Sequence, residues 1–210
     1  MEMVKGKGRR IAVLCFGILI MGLGVALFKI SLMGNDPSSA MAMAIADRLG
    51  VDFAVVLLAV QLIFFLIQLL FGRRYIGIGT FINWFFVGTL ASLYGRGIAL
   101  FWDGPTGLLP QLFTMLAGVL VLSLSASLYQ TADLGIAPYD CMSILMDDHL
   151  PLPYFWCRII TDAACAAIAF LFGGIVGLGT LVCAVGLGPF IHFFNRHVSE
   201  KLCGKAESIR

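Results

Sequence analysis

The chain has 210 residues, 60% of them hydrophobic and 12% charged, with a mean hydropathy of +0.97 and a formal net charge of +2. A soluble domain is about 45–50% apolar and about 25% charged, so this composition excludes a soluble domain, a disordered chain and a nucleic-acid binder. What remains is an all-α polytopic membrane protein whose constant partner is the lipid bilayer, with residues 1–210 forming a single membrane domain.

In chain order, the uncharged stretches are 11–28, 53–72, 75–95 and 104–132, the last with Pro110 near its start. The remaining run, 154–195, is too long for one helix and divides at Gly173-Gly174. Since about 20 residues cross the hydrocarbon layer, the pattern predicts six transmembrane helices. The basic stretch before the first run resembles a secretion signal. The run is long, however, and no small-x-small cleavage site follows, so it reads as a retained helix. With the N-terminus inside, the inner side carries Lys5, Lys7, Arg9, Arg10, Arg73, Arg74, Arg196, Lys201, Lys205 and Arg210. The outer side carries Lys29, Arg48 and Arg96. Lys and Arg favour the cytoplasmic side, so both termini are expected there, with 198–210 as a cytoplasmic tail.

A self-match at a shift of 101 residues is the most informative feature. LFKISLMGNDPSSAM, from Leu27, aligns with LYQTADLGIAPYDCM, from Leu128. Gly34 meets Gly135, Pro37 meets Pro138 and Met41 meets Met142; after a one-residue gap, IGIGT at Ile76 meets VGLGT at Val176. Repeat one covers 11–100 and repeat two 110–197. Three spans per repeat is an odd number, so the second copy is expected upside down relative to the first, as in many secondary transporters.

Each repeat also holds a turn, a proline and about ten helical residues, too short to span at a rise of about 1.5 Å per residue. These segments are expected to be extra half-helices, either re-entrant or interfacial. A re-entrant one would aim the positive end of its dipole at the protein centre.

Candidate binding residues follow from this frame. Asp162 lies well inside the fifth span, with Arg158 one turn earlier on the same face. Charges at membrane depth mark a pathway or a structural ion pair. Asp162 corresponds to Gln61 under the repeat, and Asn83 to Cys183. Gln61, Asn83, Thr80 and Thr180 are candidate cavity residues or interhelical hydrogen-bonding groups. In the half-helix turns, Asn35, Asp36, Ser38, Ser39, Tyr139 and Asp140 are candidates for ligand contact or helix capping. Gly22, Gly24, Ser123, Ser125 and Ser127 read as packing faces, and Gly188-Pro189 as a kink. The six cysteines form no C-x-x-C and read as small packing residues. No catalytic or metal-binding residues and no resident cofactor are expected, because Ser–His–Asp groupings, metal-ligand spacings and phosphate loops are lacking. A coupling proton or Na+ is the one transient ligand anticipated besides the solute.

The elements LGIAPYD, GIVGLGTLVCAVGLGPFIHFF and GIGTFINWFFVG resemble the YczE/YyaS/YitT-type bacterial integral membrane proteins over residues 11–194. Gly135, Pro138 and Asp140 match the G-x-x-P-x-D turn of that family, whereas the first-repeat copy has Ser39 at the aspartate position. The resemblance implies a bacterial inner (cytoplasmic) membrane location and lends no substrate. The function expected is secondary transport of a small anionic or zwitterionic solute by alternating access around a midplane site. The alternatives are a substrate-binding membrane subunit of a multi-component importer and a non-transport accessory or scaffold protein. Oligomeric state is not legible.

Overall fold

Apolar runs leave their backbone polar groups no water partners in a membrane, so they close those bonds within helices. The computed structural model describes residues 2–174 and 177–203, and among these every regular element is helical. The expected outer link between the last two spans lies partly outside them, at 175–176, as does the end of the expected tail, 204–210.

The long helices are α1 (Glu2–Ser31), α3 (Phe53–Phe71), α4 (Ile78–Ala99), α5 (Leu108–Thr131), α7 (Tyr154–Leu171) and α8 (Leu178–Phe194). Two short ones, α2 (Pro37–Leu49) and α6 (Pro138–His149), occupy the half-helix positions, each with proline in its first turn. Five helices are long and apolar enough to cross a membrane, and a sixth span results if the bent pair Leu178–Ala184 and Gly186–Cys203 is counted as one. The bend is 53°. Its physical cause is Pro189, which lacks an N–H and whose ring crowds the carbonyl four residues earlier. Residues 195–203 prolong this helix through one π turn and a last short helical turn. They are anchored by Ser199, whose hydroxyl is 2.5 Å from that of Ser127, and by Lys201, whose carbonyl accepts from Arg9 at 2.9 Å.

The third span begins later than expected. Tyr75 falls in a 3-10 turn, Arg73–Tyr75, and α4 starts only at Ile78. Thr80 Oγ1 accepts from Gly77 N–H at 3.1 Å and so caps the start of the helix. Pro110 sits within the first turn of α5, where its missing N–H costs nothing.

Helices α1 and α5 cross at the centre, where glycines let the backbones approach. A Cβ on Gly17 would lie 3.1 Å from Leu128 Cβ, one on Gly24 2.9 Å from Leu122 Cγ, and one on Gly118 2.8 Å from Phe28. Around this pair each short helix packs on both α3 and α7, with α2 leaning more on α7. Gly174 fits against Ala44 of α2, and Gly72 against Leu145 of α6.

The turns before the short helices are matched as well. Leu32 and Asp133 adopt φ of 57° and 51°, and Gly34 and Gly135 adopt 105° and 113°. These left-handed values are uncommon outside glycine. Gly179 N–H donates to Met33 O at 2.7 Å, and Gly79 N–H to Leu134 O at 2.8 Å. Each turn is thus clamped onto the start of a helix from the other half of the chain.

Arg9, Arg10, Arg73, Arg74, Arg196 and Lys201 gather at one end of the bundle, where Arg74 bonds Asp148 at 2.5 Å. Lys29, Arg48 and Arg96 lie at the other end, where Arg96 bonds Asp52 at 2.8 Å.

Candidate functional site

After α1 the chain folds back on itself. Asn35 Nδ2 donates to Val25 O, ten residues earlier in α1, at 3.3 Å. α2 therefore starts below the end of α1 and beside its apolar face. Asp36 caps α2 by accepting from Ser39 N–H at 3.0 Å. The start of α6 stands across from it, with Gln61 Oε1 of α3 accepting from Tyr139 N–H at 3.2 Å. Between the two N-termini lies a cavity of ≈ 600 Å³.

One wall is ionic. Arg158 Nη1 donates to Asp140 Oδ1 at 2.7 Å, and its Nε lies 3.1 Å from Asp162 Oδ1. The guanidinium also stacks over the Tyr139 ring, 4.8 Å from its centroid. The Tyr139 hydroxyl donates to Asp162, and the Tyr129 hydroxyl to Asp140. Two carboxylates thus share one guanidinium and two phenols. The cluster carries a surplus negative charge when both aspartates are ionised.

The rest of the lining is mostly neutral. Ser38, Ser39, Asn83 and Cys183 line it, and Asp36 is its single charge. Asp36 Oδ1 and Ser38 Oγ are buried without a hydrogen-bond partner. Residues Tyr154, Phe155, His192 and Asn195 extend the lining toward the arginine-rich end.

Of the residues singled out from sequence, Arg158, Gln61, Asn83, Ser38, Ser39, Tyr139 and Asp140 come together around this cavity. Asp162 stands behind them, 2% exposed, and touches the space through Tyr139 and Arg158. Thr80 and Thr180 lie elsewhere, in the clamped turns. Thr80 Oγ1 donates to Ile136 O at 2.8 Å, and Thr180 Oγ1 accepts from Asn35 N–H at 3.3 Å. Their glycine neighbours bring them to backbone rather than to open space.

Tyr129 went unrecognised in the sequence. It is fully buried and begins the ionic cluster, yet its repeat counterpart is Phe28, so the alignment showed only a conservative aromatic pair. The same alignment sets Arg158 against Leu57, Tyr139 against Ser38 and Asp140 against Ser39. All of the cluster belongs to the second half of the chain, and for Tyr129 the sequence carried no signal.

His149 and His197 each hydrogen-bond a carbonyl of their own helix, at 2.8 and 2.9 Å. Among the described residues no group of His, Cys, Asp or Glu is arranged to hold a metal ion. At the basic end of the bundle, Asp148 accepts from Arg74 and from Tyr75 Oη at 2.9 Å. Burial alone would raise its carboxyl, but these hydrogen bonds outweigh burial and hold it below the usual carboxylate value.

The chain is 26% identical over 190 residues to an uncharacterized protein of Haemophilus influenzae, covering 89% of this chain and 83% of the relative. It is 23% identical over 193 residues to the uncharacterized protein YyaS of Bacillus subtilis, covering 90% and 94%. No solved structure matches it. Residues 8–196 match the model of DUF6198, a family of unknown function, and the chain belongs to that family.

Proposed function

We propose that this protein is a secondary transporter of a small solute, working by alternating access between two inverted repeats. The observation that carries the reading is the ≈ 600 Å³ cavity, on which the N-termini of both short helices converge, one from each half of the chain. The matched clamps at Gly79 and Gly179, and the packing of each short helix on both α3 and α7, support two inverted copies. Two packings related by such symmetry have similar energies, which a transport cycle needs. In this reading α2 and α6 are re-entrant, because irregular backbone at membrane depth requires a protein or water lining.

Of the anionic and zwitterionic solutes, the lining favours the zwitterion. Arg158, the one guanidinium present, is already matched by Asp140 and Asp162. The surplus carboxylate in that cluster is the place for a coupling proton or Na+. The cavity reaches toward the arginine-rich end, and the positive-inside rule puts that end in the cytoplasm. The form described is therefore inward-open, in the bacterial inner membrane with both termini inside. No step in this account makes or breaks a covalent bond, so no enzymatic role is assigned.

The test is flux. Purified protein in liposomes should accumulate one member of a labelled amino-acid and betaine panel when a pH or Na+ gradient is imposed. Asp162→Asn should uncouple uptake from that gradient. Absence of flux for the whole panel, with the protein copurifying with an ATPase pair, would turn the reading to an importer subunit.

A further inference from the structure

We infer that the N-terminus of α2 is an ammonium subsite, in which Asp36 and Ser38 receive the primary amine of the transported solute. The inference rests on the transporter reading for its occupant and deepens it.

Asp36 lines the cavity, and its two carboxylate oxygens have different tasks. Oδ2 accepts from Ser39 N–H and caps the helix; Oδ1 has no partner. Ser38 follows two residues on, with its side chain 3% exposed and its hydroxyl also unpartnered. Buried polar atoms in folded proteins are almost always paired. Two orphan oxygens beside one cavity therefore describe an acceptor pair awaiting a donor. An anion is the wrong occupant, because a carboxylate already holds the helix terminus. A primary ammonium offers three N–H donors on a single charge, matching Asp36 Oδ1 and Ser38 Oγ with one donor to spare. A Na+ ion would need more oxygens than this apolar neighbourhood supplies, since Met21, Val25, Leu57 and Val87 make the adjoining wall. Those side chains suit the carbon skeleton of an organic amine. The repeat counterpart of Asp36 is Ala137, so the second half has no such acceptor and the solute is held in one orientation.

The probes are phenethylamine, phenylalanine, 3-phenylpropionate and NaCl, titrated by calorimetry against the purified full chain in nanodiscs. Phenethylamine and phenylalanine should bind, and Asp36→Asn should weaken both at least tenfold. Asn caps a helix about as well as Asp, so this variant should keep its melting temperature. Ser38→Ala, which disturbs no cap, should weaken the amines by a smaller factor and supplies the answer if Asp36→Asn does not fold. The inference is overturned by amine binding that both variants leave unchanged, by 3-phenylpropionate binding as tightly as phenethylamine, by NaCl displacing the amine, or by no amine binding at millimolar concentration. Amine binding lost in Asp36→Asn, together with no flux in liposomes, would keep this subsite and overturn the transporter reading instead.

Discussion

The Tyr139 side chain does two jobs in the ionic wall. Its hydroxyl donates to Asp162 and its ring supports the Arg158 guanidinium. Tyr139→Phe keeps the ring and removes the donor. Hydrogen bonds to charged groups contribute about 1.5–3 kcal/mol, so the variant should lose about that much stability in a denaturant titration in detergent. A loss near zero would mean that water replaces the phenol. At the basic end, Asp148 makes a different prediction. Its folded-state carboxyl is held below the usual value of 3.8. The stabilisation from its Arg74 and Tyr75 contacts is therefore present above that pH and is lost as pH falls through the lower, folded-state value. The melting-temperature gap between wild type and Asp148→Asn should be constant near neutrality and close as the pH falls through that lowered value. It should be small, because Arg74 is 66% exposed.

Among the elements, the clamped turns are the most demanding of sequence. Gly77 presses against Leu134 O and Gly177 against Met33 O, so a Cβ at either would collide with backbone, which cannot step aside. Gly77→Ala and Gly177→Ala should each cost about 1–3 kcal/mol, the range for overpacking a tight site. Gly97 in α4 has nothing within 4 Å of its would-be Cβ, and Gly97→Ala should be neutral or stabilise by about 0.5–1 kcal/mol. Thermal melts of the three variants side by side would check the contrast. A Gly77→Ala protein as stable as Gly97→Ala would show that the turn is not held against α4. The same glycines explain why Thr80 and Thr180 leave the cavity: close backbone approach commits their hydroxyls to carbonyls and amides within the clamp.

For the whole molecule, the distribution of charge predicts topology. In a cysteine-free background, a membrane-impermeant maleimide added to intact cells should label Arg96→Cys and Arg48→Cys, but Arg74→Cys only after lysis. The reverse pattern would invert the protein and make the cavity outward-open. The α1–α5 crossing joins the two halves of the chain, while the ionic cluster belongs to one half alone.

The sequence by itself determined the all-helical class and the approximate place of each long and short helix. Those depend on local quantities: runs of apolar residues, prolines at first turns, and charges that must reach water. It also marked Asp162, Arg158, Tyr139 and Asp140, because ionisable or polar groups in apolar surroundings stand out without any coordinates. Only the tertiary structure decided which half-helix meets which span, that Thr80 and Thr180 serve the clamped turns, and that Tyr129 belongs to the cavity. These outcomes depend on packing between residues about a hundred positions apart in the chain, and hydrophobic periodicity carries no record of the partner. A buried tyrosine and a buried phenylalanine read alike along a helix; only the carboxylate placed opposite the hydroxyl separates them.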